Sequence, residues 1–319
     1  MTDYTPVTLQ QATIYFSDLD RCEEYMRRIR WGDGAPSCPR CGAKGVRIGE
    51  IKTRRMLKCR DCKKQFSSRV GTVFESSKIG LDKWFLAVWL IANCKNGISS
   101  YELARDVGVE QKTAWFMIHR IRAAMEVSGD KFDGTNEADT TYVGGKSANM
   151  HKSRREKIIK GRGAVGKAIV QAVLQRGEVS QARADVVGTD DAAKLIPAIC
   201  GHVQHGATVY TDAAAAYSAL PITHSHDSVD HARRYVAGHV HINGCENFFS
   251  LLKRTLGGTY IAVAPFHLFR YCSEQVFRFN HRITNDFMRF EKTLSQIAGK
   301  RLTYRVLTGQ DDAGFMGIK

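Results

Sequence analysis

The sequence predicts an α/β fold preceded by two smaller modules, on three observations. Between residues 136 and 229, apolar runs of strand length alternate with short helical stretches and lead into a helix that begins near His241. From residue 81 to 125 the apolar repeat is helical throughout. Ahead of both lie two Cys-x-x-Cys pairs, Cys38/Cys41 and Cys59/Cys62.

Taken in order, residues 18–30 read as a helix with Leu19, Cys22, Tyr25 and Met26 on its apolar face. The cysteine pairs follow, separated by residues 42–58, in which 46–51 and 53–57 form a hairpin. A Cys-x-x-Cys turn followed by a small or flexible residue puts two thiolates on one side. Two such turns close a tetrahedron around Zn²⁺ at about 2.3 Å per sulfur. The four cysteines therefore predict a zinc ribbon. Four sulfurs leave no open coordination position, so the ion is structural. Cys22, Cys94, Cys200, Cys245 and Cys272 are scattered in apolar or helical surroundings and read as free thiols.

The helical segment resolves into three pieces. Trp84, Phe85, Val88, Trp89 and Ala92 give the first its apolar face. Ser99 caps the second and Gly108 stops it. Residues 110–125 form the third. A small residue packing one helix on the next, with a glycine at the turn, resembles a helix-turn-helix. In that reading Gln111 and Lys112 face bases, and Arg120 and Arg122 face phosphates. A helical hairpin used only for packing has the same pattern.

Beyond a Gly/Asp-rich bridge at 128–134, strands are expected at 136–145, 164–174, 179–187, 208–212 and 222–229. Short helices fall at 190–200 and 213–220. The run from 265 to 299 reads as one or two helices whose aromatic stripe (Phe266, Phe269, Tyr271, Phe277) is core or dimer surface. Domains follow: 1–77, helix and ribbon; 78–128, helix-turn-helix; 129–264, the α/β domain with a basic loop at 147–165; 265–319, a helical C-terminal region.

Lys and Arg number 47 against 32 Asp and Glu, a net charge of +15, which favours a polyanionic partner, nucleic acid before a membrane surface. The longest apolar run, residues 84–92, is too short to cross a bilayer, which takes about 20 residues. No signal sequence is recognisable at the N-terminus, so the expected location is the cytoplasm, on the nucleoid when DNA is bound. Basic side chains crowd the ribbon (Arg54, Arg55, Lys58, Lys63, Lys64) and the loop (Arg154, Arg155, Lys157, Lys160, Arg162), where phosphates are the natural counter-charges.

Three acids stand at informative places. Asp139 is in the middle of the first strand, Asp212 ends the fourth, and Glu246 lies on the following helix. Three meandering strands, then a strand ending in Asp, then a helix carrying an acid, is a ribonuclease-H-like order. Carboxylates meeting at one edge of such a sheet can hold two divalent ions, Mg²⁺ or Mn²⁺, for phosphodiester chemistry. Taken singly, each acid also fits a bland role: Asp139 facing solvent, Asp212 as a helix cap, Glu246 as half of a surface pair with Lys253.

The motifs EADTTYVGGK at 137–146, VYTD at 209–212 with Tyr217, and HINGCENFFSLLKR at 241–254 with Gly258-Thr259-Tyr260 resemble bacterial insertion-sequence transposases of the DDE class, in the subgroup with an N-terminal zinc ribbon. The resemblance spans residues 15–290. It implies that Asp139, Asp212 and Glu246 are the metal-binding catalytic triad and that Lys253 and Arg254 lie near DNA, with His241 and Asn243 as assisting groups. Some members of this group use Asn as the third residue, and Asn243 stands one turn before Glu246; the spacing to Lys253 fits Glu246. The resemblance further implies binding of terminal inverted repeats, strand cleavage and transfer into target DNA, and at least a homodimer, since two ends must be joined. A sequence-specific DNA-binding regulator and a ribonuclease-H-like nuclease without strand transfer are the alternatives.

Overall fold

The computed structural model describes residues 5–32, 34–127, 129–145, 152–153, 156, 166–229 and 238–310. The chain divides into two units: one runs to Glu126 and resumes at His281, and the other is Val127–Asn280. Phe290 shows why the segment that begins at His281 belongs with the first unit. It is fully buried among the rings of Phe16, Phe85 and Trp89, with centroids 5.1, 5.9 and 5.5 Å away.

In the first unit, helix α1 (Leu9–Tyr15) had no counterpart in the sequence expectation. Helix α2 (Leu19–Trp31) starts at the Asp18 side chain, which accepts from Asp20 N–H and Arg21 N–H. Strands β1 (Ile48–Ile51), β2 (Met56–Cys59) and β3 (Gln65–Phe66) pair antiparallel in that order. Helices α3 (Leu81–Asn93), α4 (Ser100–Val107) and α5 (Gln111–Ala124) follow.

Helix α4 shows why local sequence was a sound guide here. Ser99 accepts from Glu102 N–H while the Glu102 carboxylate accepts from Ser99 N–H. This reciprocal cap satisfies two otherwise orphaned donors. Gly108 ends the helix in the left-handed region at φ 63, which a glycine adopts without strain. Ser99→Ala is expected to destabilise this unit by about 1 kcal/mol, visible as a fall of a few degrees in its melting temperature.

The second unit is built on a five-stranded sheet, order β6-β5-β4-β7-β8. Its strands are β4 (Thr135–Val143), β5 (Ala168–Gln175), β6 (Gln181–Val187), β7 (Thr208–Asp212) and β8 (Ser225–Val229). The first three form an antiparallel meander, and β7 and β8 then run parallel to β4. Helix α6 (Ala192–His202) packs on one face with Ala138, Val173, Val209 and Tyr217. Helices α7 (Asn243–Thr255) and α8 (Leu268–Asn280) pack on the other with Val170, Ala172 and Leu174. Of the aromatic stripe, Tyr271 and Phe277 of α8 are buried in the core, while Phe266 and Phe269 are half-buried.

The Ala-rich stretch 213–220, expected to be a helix, makes only one 3-10 turn, Ala215–Tyr217, followed by a second at Leu220–Ile222. Tyr217 and Leu220 both enter the core. They are three residues apart, the repeat of the tighter helix. Strand β8 accordingly begins at Ser225 rather than at residue 222.

Candidate metal centres and nucleic-acid interface

The four cysteine sulfurs of the ribbon lie within 4.8 Å of one another. Cys38 and Cys62 are 3.7 Å apart, and Cys41 and Cys59 are 3.6 Å apart. A tetrahedron with arms of about 2.3 Å has edges of about 3.8 Å, so the cluster fits a structural Zn²⁺. The backbone turns that aim the sulfurs are matched. Each pair ends on a residue in the left-handed region, Gly42 at φ 75 and Lys63 at φ 60. Desolvation opposes ionisation of Cys38, but the N–H groups of Arg40 and Cys41 outweigh it and hold the thiol at about 7. Thiolates so close together repel unless a cation lies between them.

The second constellation follows from strand register. Strands β4 and β7 pair in parallel, Thr135 with Thr208 and Glu137 with Tyr210. Two residues further along this register stand Asp139 and Asp212. Neighbouring strands are about 4.8 Å apart, and residues two apart share a face. The carboxylates of Asp139 and Asp212 therefore project side by side, on the face bearing Glu137. That face receives the start of α7: Glu137 accepts from Gly244 N–H at 2.8 Å and from Cys245 N–H at 3.1 Å. Glu246 is the next residue, exposed, and Lys253 is exposed two turns later on the same side of the helix.

Electrostatics record the convergence. Asp139 is lifted from 3.8 to about 7, chiefly by desolvation. A bond from Thr140 N–H opposes the rise, the charges of Asp212 and Glu246 add to it, and Lys253 opposes it. Asp212, Glu246 and Lys253 thus all act on Asp139. An oxygen-only cluster whose members repel suits a hard divalent cation such as Mg²⁺. Tyr217 is buried beside it, and its hydroxyl is pushed up by desolvation and then by the charges of Asp139 and Asp212.

The basic residues divide. Arg54, Lys58, Lys63 and Lys64 are exposed on the ribbon; Arg55 is exposed but paired with Asp20. Lys112 is exposed at the start of α5, while Gln111 is half-buried and donates to Ser100 Oγ at 2.7 Å. Arg254 is exposed at the end of α7. Arg120 corrects the expectation of a phosphate contact. It is 4% exposed, lies 5.2 Å from the centroids of the Trp84 and Phe116 rings, and donates to the Glu75 carbonyl at 2.6 Å. Desolvation lowers it to about 10. Arg122 is buried as well. Spacing along the helix does not report burial, and both arginines of α5 turn out to be covered. Arg154, Arg155, Lys157, Lys160 and Arg162, with most of the basic loop, lie outside the described residues.

His241 does not face the acids as an isolated group. Its Nδ1 is 2.8 Å from Arg176 Nη2, and because a guanidinium only donates, Nδ1 is the acceptor. Asn243 is the exposed first residue of α7. Glu137 and Arg176 are the site neighbours that sequence reasoning left without a role. The available signal was a charged residue two before Asp139 on the same strand face, and an arginine directly after the apolar run of β5.

Comparison with known proteins agrees with this organisation. Residues 131–280 match the ISXO2-like transposase domain, and residues 18–65 match the transposase zinc-ribbon domain. A protein of the transposable element ISH50 of Halobacterium salinarum is 32% identical, over 74% of this chain and 82% of its own length. The matched domain implies a ribonuclease-H-like fold, with which the sheet order is consistent. The chain belongs to the ISXO2-like transposases that carry an N-terminal zinc ribbon.

Proposed function

We propose that this transposase binds the terminal inverted repeats of its element, cleaves a strand to free a 3′-hydroxyl, and transfers that end into target DNA through a DDE triad of Asp139, Asp212 and Glu246. The observation that supports the reading is the register that sets Asp139 beside Asp212 on β4 and β7, with the charges of Asp212 and Glu246 adding to the desolvation that lifts Asp139 to about 7. The three side chains would hold two Mg²⁺ or Mn²⁺ ions. When bound, such a pair activates the attacking oxygen and stabilises the leaving one.

The chain's own groups do the rest. Lys253 and Arg254, exposed on α7, hold the phosphate beside the triad. Asn243, one turn before Glu246, lies near enough to orient a ligand. Arg54, Arg55, Lys58, Lys63 and Lys64 of the ribbon grip DNA phosphates, giving binding that weakens steeply with salt. Helices α4 and α5 act as a helix-turn-helix, with Lys112 and Gln111 at its leading end. Joining two ends requires at least a homodimer on DNA.

The test is incubation with labelled element ends, Mg²⁺ and target duplex. Nicked ends and joined products are expected from the wild type and neither from Glu246→Gln. Tight binding without nicking would make the protein a regulator instead. Nicking without joined products would make it a nuclease. A Glu246→Gln variant as active as wild type, with Asn243→Ala inactive, would move the third ligand to Asn243.

A further inference from the structure

We propose that Glu137 is a positioning residue that, together with Arg176, sets the three triad-bearing segments against one another; this rests on the transposase reading above. Glu137 is 1% exposed on β4. A carboxylate so buried is tolerated only when its oxygens are fully engaged. Here one oxygen, Oε1, accepts from Arg176 Nε at 2.7 Å. The other accepts from Gly244 N–H and Cys245 N–H, at 2.8 and 3.1 Å.

Those two amides belong to the first turn of α7, a helix whose own residues supply no side-chain cap. The first N–H groups of a helix lack intrahelical partners, and its N-terminus favours a negative charge. Glu137 therefore caps α7 from a different element, 107 positions away in sequence from Gly244. The approach to the helix is held as well. Arg176 donates to the carbonyls of His239 and His241 at 2.8 and 2.6 Å. Its guanidinium also lies over the Tyr210 ring, 4.9 Å from the centroid.

The clamp touches the chain just upstream of each proposed metal ligand. Glu137 is two residues before Asp139 on the same strand face. Tyr210 is two before Asp212. Gly244 and Cys245 immediately precede Glu246. Gly244 fits only because it lacks a side chain: a Cβ there would meet Glu137 Oε2 at 2.8 Å and Leu174 Cδ2 at 3.0 Å. Shifting the clamp would move all three carboxylates relative to one another. Residues that orient metal ligands in this way typically control metal affinity by about 10–100-fold.

The experiment compares wild type with Glu137→Gln, Glu137→Ala and Gly244→Ala, all as full chains on labelled element ends. Glu137→Gln keeps the shape and an acceptor oxygen; Gly244→Ala disturbs the cap without altering any carboxylate. The concentration of Mn²⁺ giving half-maximal cleavage is expected to rise about tenfold or more in these variants. Excess Mn²⁺ should restore most of the rate, with DNA affinity within twofold of wild type. Half-saturating Mn²⁺ within twofold of wild type in both Glu137→Gln and Gly244→Ala overturns the proposal, even if their melting temperatures fall. Should wild type itself show no metal-dependent cleavage, the transposase reading fails separately. Hydrogen exchange at Gly244 and Cys245 then decides the positioning role: exchange at least tenfold faster in Glu137→Ala supports it, and unchanged exchange overturns it.

Discussion

Asp139→Asn should abolish strand cleavage and, in metal-free protein at pH 8, raise the melting temperature of the unit that carries it. The two outcomes have one cause. Desolvation, then the charges of Asp212 and Glu246, lift the Asp139 carboxyl from 3.8 to about 7. The unfolded chain releases this proton near 3.8; the folded chain keeps it to about 7. Between those values the unfolded state binds fewer protons, so stability falls as pH rises. Above 7 the full penalty is present. Each tenfold difference in proton affinity is about 1.4 kcal/mol, so a rise from 3.8 to about 7 makes the penalty on the order of 4 kcal/mol. An asparagine carries none of it. At about 2–4 °C per kcal/mol for a unit of this size, the variant is expected to melt roughly 8–16 °C higher. The gap should shrink by pH 5 and vanish only below about pH 3, where wild-type Asp139 is protonated in both states. Mg²⁺ should close it from the other side, by binding and stabilising only the wild type. Calorimetry across pH with and without Mg²⁺ measures this. A variant no more stable than wild type at pH 8 would mean that burial and the neighbouring acids do not raise the Asp139 carboxyl.

Removal of a ribbon cysteine should have a larger but more local effect. Cys59→Ser is expected to lose zinc and unfold residues 38–66. The ribbon core consists of Cys38, Leu57, Cys59 and Phe66, with only partly buried side chains around them. Burial of Leu57 and Phe66 contributes about 1.5–3 kcal/mol each, while ordering each residue's backbone costs about 1–2 kcal/mol. Metal binding must make up the difference. Structural zinc supplies about 10–16 kcal/mol in small domains of this type. The expected readouts are loss of the bound zinc, rapid proteolysis within 38–66 and weakened DNA binding. Chelation should produce the same state in wild type, and added Mg²⁺ should not reverse it. A Cys59→Ser protein that keeps one zinc and resists proteolysis would overturn the assignment.

The sequence by itself determined the parts whose physics is local. Two Cys-x-x-Cys turns need only their own backbone to aim sulfurs. Ser99, Glu102 and Gly108 define α4 within one span of chain, and residues 208–212, expected as a strand, form β7 with those bounds. The order of strands and acids was legible because β7 and β8 join the meander in a sequence that periodicity exposes. Tertiary structure alone decided what faces what. The sequence showed Arg120 as a basic residue on α5 but could not reveal that Trp84 and Glu75 cover it. Nor could it reveal that Glu137 would cap a helix 107 positions away, or that desolvation would lift Asp139 to about 7. A side chain's charge and spacing are written in the chain, but its dielectric surroundings and its hydrogen-bond partners are set by segments remote in sequence.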